Sequence, residues 1–435
     1  MKKIYIVGLI VLSFAACKPN LDPSSPQAGN ADFSTYLAVG NSLTAGFADG
    51  TLYRSGQESS YPSMLAEQFK LVGGGSFTQP LLNGNAGYPG PKRVLGLATD
   101  CKGVTSLSPV LYSGVMDTAG DGLNISAQGP FNNVGVPGIR AIDYLFTGYG
   151  FLNPYARRFY SSPLTEKPLD EALKINATFF SCWLGSNDVL GYATSGGSGS
   201  VGGIGTSDIS PVPTFTASYN AVVDALTASG AKGVLINIPD VTAIPYFTTV
   251  PPNGLVLDQT QAAQLSAAYQ ALGITFTAGQ NYFIIQDAGA PGGLRKAKAG
   301  ELILLTVPQD SLKCAGWGSI KPIPKQYVLD ETEVANVQSA TASFNAVIKQ
   351  AAIDHDLAYV DMNAYLHTIA AGIVFNGVDF NTTFVQGGAF SLDGVHLTPR
   401  GYAIVANAII RDINTYYKSS IPAVDVNKYS GLKFP

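Results

Sequence analysis

Residues 36–43 read Tyr36-Leu37-Ala38-Val39-Gly40-Asn41-Ser42-Leu43: a short apolar run that breaks at a glycine and passes straight into Asn41 and Ser42. A continuous apolar run of this length with a turn at its end has the pattern of a buried parallel strand. Three more such runs follow, at Ala177 to Leu184, Val234 to Ile238 and Ala358 to Met362. Helical periodicity lies between and after them, over Tyr61 to Phe69, Ile139 to Phe146, Phe215 to Ser229 and Glu333 to His355. Strands alternating with helices imply right-handed crossovers and a sheet covered on both faces. The predicted fold class is α/β, a three-layer α/β/α arrangement with a mostly parallel sheet.

Two stretches stand outside this alternation. Residues 73–130 are rich in Gly, Pro and Asn with little periodicity, and 241–327 carry one predicted helix (Thr260 to Ala271) in otherwise irregular chain. Irregular segments of this length commonly build sites, so both are expected to wall a cleft. The Gly/Ser tract Gly196 to Gly205 reads as a mobile loop.

Toward the N-terminus, Lys2 and Lys3 precede a 13-residue apolar run from Ile4 to Ala16 that ends in Ala15-Ala16-Cys17. The run is too short to span a bilayer and has the form of a signal-peptide core. Small residues before a cysteine resemble a bacterial lipoprotein signal, which implies lipidation of Cys17. The expected organisation is a signal peptide (1–16), a lipidated Cys with a flexible tether (17–31), and one domain over 32–435 with insertions at about 73–130 and 241–327. A cell-envelope location follows, at the periplasmic or surface face of the outer membrane, with membrane contact through the anchor.

The chain has 435 residues and a net charge of −4, which loss of two lysines with residues 1–16 takes to −6. Charged residues are 13%, about half the usual share. So little Lys and Arg leaves no electrostatic footprint for nucleic acid. Forty-six per cent apolar residues exclude wholesale disorder. Past Cys17 three cysteines remain. Cys182 falls in an apolar strand and reads as core, whereas Cys101 and Cys314 fall in Gly/Pro-rich regions of an exported chain and are candidates for a disulfide.

The chemistry gathers at strand ends. Ser42 stands at the carboxyl end of the first predicted strand, where parallel sheets bind ligands. Asn133-Val134-Gly135-Val136-Pro137-Gly138 opens the segment at Ile139, where Gly138 can present its N–H at a helix start. The strand Ala177 to Leu184 runs into Gly185-Ser186-Asn187-Asp188. Asp393-Gly394-Val395-His396 precedes Thr398 and Pro399, good cap and first-turn residues. The Asp-x-x-His spacing lets the carboxylate meet the imidazole and fix its tautomer.

These four pieces, in this order, resemble the SGNH (GDSL-type) hydrolase family over residues 36 to about 416. Asn41 departs from the family's Asp beside the nucleophile. The resemblance implies a flavodoxin-like SGNH fold with long loop insertions. It also implies a serine esterase or acylhydrolase that cleaves a lipid acyl or O-acyl glycan ester through an acyl-serine, without metal or organic cofactor. It assigns Ser42 as nucleophile, His396 as base and Asp393 as its partner. The N–H groups of Ser42 and Gly138 and the Asn187 amide would form the oxyanion hole. A glycan- or lipid-binding lipoprotein on the same scaffold is the alternative.

His355, between Asp354 and Asp356, reads as part of a solvated charge cluster, and His367 as a packed core histidine. The Gly197 to Gly202 match to Gly-x-Gly-x-x-Gly sits in the Gly/Ser tract and reads as linker. There is no Gly-x-Ser-x-Gly elbow, and three scattered histidines without paired cysteines do not suit a structural zinc. Trp183 reads as buried in the sheet.

Overall fold

The computed structural model describes residues 25–434; Cys17, the expected signal peptide and the first part of the expected tether lie outside them. Four parallel strands form the central sheet: β1 (Tyr36–Gly40), β4 (Phe179–Trp183), β5 (Lys232–Ile236) and β6 (Ala358–Val360), side by side in that order. A hairpin, β2 (Arg93–Thr99) and β3 (Thr105–Leu111), stands apart. Every residue of β1 and β4 is buried, the mark of strands covered on both faces. Gly40 is in register with Trp183 and Val360 with Ile236, so the carboxyl ends of the strands finish together.

On the outer side of β1, residues 132–136 add a fifth, shorter ladder. Ala38 N–H donates to Asn132 O at 2.7 Å, Val134 N–H to Ala38 O at 3.0 Å and Val136 N–H to Gly40 O at 3.1 Å. With it the chain runs outward from β1 and then back across it to β4. That reversal is the topological switch point of a doubly wound sheet, and ligands bind at its carboxyl edge.

The helices divide into two packed sets. α1 (Ser42–Ala45) is a single turn. α2 (Tyr61–Lys70) packs against α6 (Pro399–Tyr417), while α3 (Asn187–Thr194) and α4 (Val212–Thr227) pack against α5 (Glu331–Asp354). Local chemistry sets their ends. Thr398 caps α6 through Gly401 N–H at 2.9 Å, with Pro399 at the first position. Asp330 and Glu333 form a reciprocal capping box at the start of α5. The α2 face Tyr61, Met64, Leu65 and Phe69 meets Tyr36 and Phe179 across the sheet. Truncating Phe179 to Ala at this centre would cost about 3–5 kcal/mol.

Several expectations need correction. The Ile139 to Phe146 segment is a 3₁₀ turn over Ala141–Leu145, because Gly138 has φ +84°, Arg140 is extended, and left-handed Gly148 stops the turn. Residues 73–130 are only partly irregular: Val94, Leu95, Leu97 and Val110 build the β2–β3 hairpin. Residues 241–327 hold several two-stranded sheets around a second core of Val250, Phe283, Ile285, Ile303, Val307, Ile323 and Val328. The Gly/Ser tract is pinned: Asp208 accepts the Ser200 and Gly205 N–H groups, and Arg140 donates to Ile204 and Gly205 carbonyls. The described end of the tether is docked, with Gln27 bonded to Ser420 just after α6 and Asn30 to Tyr417 at its last residue.

Cys101, at the β2–β3 turn, is disulfide-bonded to Cys314, after the helical turn Gln309–Lys313. Cys182 is a free, buried core residue, and Trp183 is buried with its indole N–H on Asn237 O at 3.1 Å.

Candidate active site

β1 ends at Gly40, where a Cβ would collide with Thr44 Oγ1 and the Trp183 carbonyl; only glycine lets α1 turn this tightly over the strand. Asn41 caps the turn by accepting Leu43 N–H at 3.0 Å. It fills the place of the family's Asp with a neutral acceptor, itself buried. Ser42 is thereby the first residue of α1, its hydroxyl at the carboxyl edge of the sheet.

The loop before α6 brings the other two groups. His396 Nε2 lies 2.8 Å from Ser42 Oγ, and His396 Nδ1 lies 2.8 Å from Asp393 Oδ2. The three side chains form one relay across 354 positions of sequence. Asp393 Oδ1 accepts the N–H groups of Val395 and His396, both at 2.8 Å, and the Ser391 hydroxyl at 3.1 Å. Oδ2 also accepts Gly50 N–H at 2.9 Å. Burial alone would raise the Asp393 pKa. The His396 charge, its ring hydrogen bond and the two backbone N–H groups outweigh that and hold the carboxyl well below the usual carboxylate range.

Asn187 opens α3 and lines the same cavity of about 40 Å³ as Ser42 and His396. One amide hydrogen is held by Ile139 O at 2.8 Å, which leaves the second free to donate. Gly138 is exposed at φ +84°. Neither its N–H nor that of Ser42 has an acceptor among the described residues. Gly138 does not line the cavity shared by Ser42, Asn187 and His396, so of the five expected residues the geometry brings together four: Ser42, His396, Asp393 and Asn187.

The other histidines stand elsewhere. His355 is not merely solvated: its ring bridges Thr227 Oγ1 at 3.1 Å and Asp224 Oδ1 at 3.0 Å. His367 is not a core residue. It is 56% exposed on the helix Met362–Ala371, with Asp240 Oδ2 at 3.6 Å, because the buried stripe of that helix runs through Met362, Leu366 and Ile369.

The sequence reading missed the segment that follows α1. Asp49 is left-handed at φ +55° and cross-links the two halves of the site. Its carboxylate takes Leu392 N–H at 3.0 Å and Tyr53 O–H at 2.7 Å, and its own N–H donates to Ser391 Oγ at 3.0 Å. Burial raises the Asp49 pKa. The Phe47 ring packs on the His396 imidazole, centroids 4.5 Å apart. The Asp-Gly pair at 49–50 was the available signal, as a turn dipeptide directly after the nucleophile's turn.

A second, larger cavity of about 810 Å³ opens beside the relay. Both insertions wall it, with Ser106, Ser108 and Pro109 from the hairpin and Tyr246, Leu305 and Gln309 from the second core region. His396 and Val395 line both cavities. Among the described residues no cluster of three or more His, Cys, Asp or Glu side chains is placed to hold a metal ion.

A sequence profile described as GDSL-like lipase/acylhydrolase matches residues 36–409. No curated protein matches the chain. Similar solved structures include a protein described as a GDSL-like lipase from Parabacteroides merdae, at 11% identity, TM-score 0.36, over 89% of this chain and 99% of that one. A catalytic mutant of the acetylxylan esterase Axe2 from Geobacillus stearothermophilus matches at 11% identity, TM-score 0.35, over 89% and 97%. An extracellular lipase from Streptomyces rimosus matches at 13% identity, TM-score 0.34, over 88% and 99%. With the profile covering most of its length, the chain belongs to the GDSL-like lipase/acylhydrolase family and is an SGNH-type ester hydrolase.

Proposed function

We propose that the protein hydrolyses a carboxylic ester of short acyl length through an acyl-serine intermediate. The observation that carries this is the Ser42–His396–Asp393 relay, closed at 2.8 Å on both sides of the imidazole. Ser42 Oγ attacks the carbonyl carbon while His396 Nε2 takes its proton. Asn187, with the Ser42 and Gly138 N–H groups, receives the developing oxyanion. His396 then returns the proton to the leaving alcohol, and water clears the acyl-serine by the same steps in reverse.

The division of space supports a short acyl group. With the acyl group assigned to the 40 Å³ cavity that Ser42, Asn187 and His396 share, there is room for only a few heavy atoms. The 810 Å³ cavity, which His396 also lines, then takes the alcohol. Hydroxyls and amides at Thr99, Ser106, Ser108, Thr306 and Gln309 stand in that cavity among apolar side chains such as Phe47, Leu305 and Phe384, so its wall offers hydrogen bonds to an alcohol's polar groups as well as apolar contact. Fluorophosphonate labelling of a soluble chain starting near Asn20, with peptide mapping, should modify Ser42 alone and fail in Ser42→Ala. Labelling elsewhere, or none in folded protein, would reject the mechanism.

The N-terminal sequence supports a lipid anchor at Cys17 in the cell envelope. Gln27 is docked ten positions after Cys17, a reach of at most about 35 Å. Incorporation of labelled fatty acid, lost in Cys17→Ala, tests this directly.

A further inference from the structure

The large cavity contains two cationic side chains, and they are differently placed. Lys313 Nζ is 3.0 Å from Asp100 Oδ2, beside the Cys101–Cys314 bond. In the same corner Asp310 accepts the Cys101 N–H at 3.3 Å. Arg93 stands at the opposite end of β2, about 20 Å from Asp100 along the strand. Its backbone is fixed, with its N–H on Asp49 O at 2.8 Å and its register opposite Leu111. Its guanidinium reaches over Gly50, so closely that a Cβ there would meet Nη1.

Among the described residues the Arg93 side chain has no ion pair; the arginines that do are Arg54, Arg140, Arg295 and Arg411. The nearest carboxylate of the relay does not serve. Both Asp393 oxygens are occupied, Oδ1 by Val395, His396 and Ser391, and Oδ2 by Gly50 and His396. A half-buried guanidinium whose donors have no partner among the described residues is therefore held at the wall of the leaving-group cavity, over Gly50, which itself bonds Asp393. A planar fork of this kind matches an oxyanion with two parallel hydrogen bonds.

We propose that Arg93 is a specificity-determining residue that binds an oxyanion, carboxylate or phosphate, carried on the alcohol portion of the ester. The substrate is then an acylated acidic alcohol, such as an acylated uronate or sugar phosphate, rather than a neutral one. The inference rests on the esterase reading above for the position of the alcohol. Tyr246 and Thr306, joined at 3.2 Å, border the same cavity and offer neutral hydroxyls to the remainder of that alcohol.

The test uses matched aryl acetates that differ only in charge on the alcohol side: 3-acetoxybenzoate against 3-acetoxybenzamide, with 3-acetoxyphenyl phosphate as a third. In the unmodified chain kcat/KM for the benzoate should exceed that for the benzamide by about ten- to a hundredfold, the range of a charge-assisted pair. In Arg93→Gln the ratio should collapse toward one. A ratio near one in the unmodified chain, or one preserved in Arg93→Gln while both rates fall, overturns the proposal. A preference for the phosphate over the benzoate, or the reverse, supports it and names the anion. Binding of 3-hydroxybenzoate and 3-hydroxybenzamide to Ser42→Ala protein by calorimetry reads the same site without turnover. There the benzoate should bind more tightly by a similar factor, weaken with salt, and lose its advantage in Ser42→Ala/Arg93→Gln. Equal binding of the two would reject Arg93 as the anion site even if hydrolysis were absent. Failure of Ser42 labelling would reject the esterase mechanism alone.

Discussion

Gly50 donates its N–H to Oδ2 of Asp393 at 2.9 Å, the oxygen that also meets His396 Nδ1. The loop that follows Ser42 thus holds the carboxylate that meets the His396 ring, although 343 positions separate Gly50 from Asp393. Asp49, one residue earlier, fixes the Ser391–Leu392 segment in the same way. Ser42 and His396 are positioned as one unit, as the proposed proton transfer over 2.8 Å would require.

Gly50 has φ +83°, and its missing Cβ is where the Arg93 guanidinium lies. Gly50→Ala should lose about 1–2 kcal/mol of stability from the left-handed backbone. It should also lower kcat, because its N–H will leave Asp393. Chemical denaturation paired with steady-state kinetics will show both losses together.

Asp393→Asn should keep the fold and lower kcat about 10⁴-fold, the effect such a swap has in serine proteases, where it leaves the imidazole in the wrong tautomer. His355→Ala and His367→Ala, remote from Ser42, should leave ester turnover within twofold. Kinetics on the three purified variants makes the comparison.

Asn187→Ala should lower kcat by about a hundred- to a thousandfold with little change in KM, because its free amide hydrogen acts on charge that appears only in the transition state. Equal loss in kcat and gain in KM would move Asn187 from oxyanion stabilisation to ground-state binding.

Two carboxylates give opposite pH signatures. Asp393 is depressed when folded, so the stability it contributes is present above the unfolded value near 3.9 and is lost as pH falls through its folded value. Asp188 is fully buried and pushed up to about 7, chiefly by burial and partly countered by Ala141 N–H at 2.7 Å. The folded state holds that proton when the unfolded state has released it, so stability falls as pH rises from about 4 to about 7. Asp188→Asn should therefore raise the melting temperature relative to the unmodified chain at pH 8 more than at pH 5.

Much of the site was legible because parallel sheets place their chemistry at strand ends. Ser42 and Asn187 each follow an apolar run, and Asp393 with His396 precedes a well-capped helix. What was not legible depends on contacts between distant segments. The Asp49–Ser391 and Gly50–Asp393 bonds have no local signature beyond a turn pair. Asn132 to Val136 reads as a loop, since Asn and Gly interrupt it, yet it pairs with β1 because that edge would otherwise carry unpaired backbone groups. His367 was misjudged because its apolar neighbours belong to the opposite side of its helix. Arg93 has no local signature in the sequence, and only the β2–β3 hairpin brings it to the wall of the cleft.

Cys101 and Cys314 stand 213 positions apart, and β4 and β5 lie within the ring of chain they close. The two thiols belong to different insertions, and only the assembled sheet brings their Cα atoms to 6.3 Å. A chain whose strands had paired wrongly would hold them too far apart to oxidise. Closure of this ring is thus a checkpoint on assembly: a molecule that carries the bond has already built the cleft it fastens.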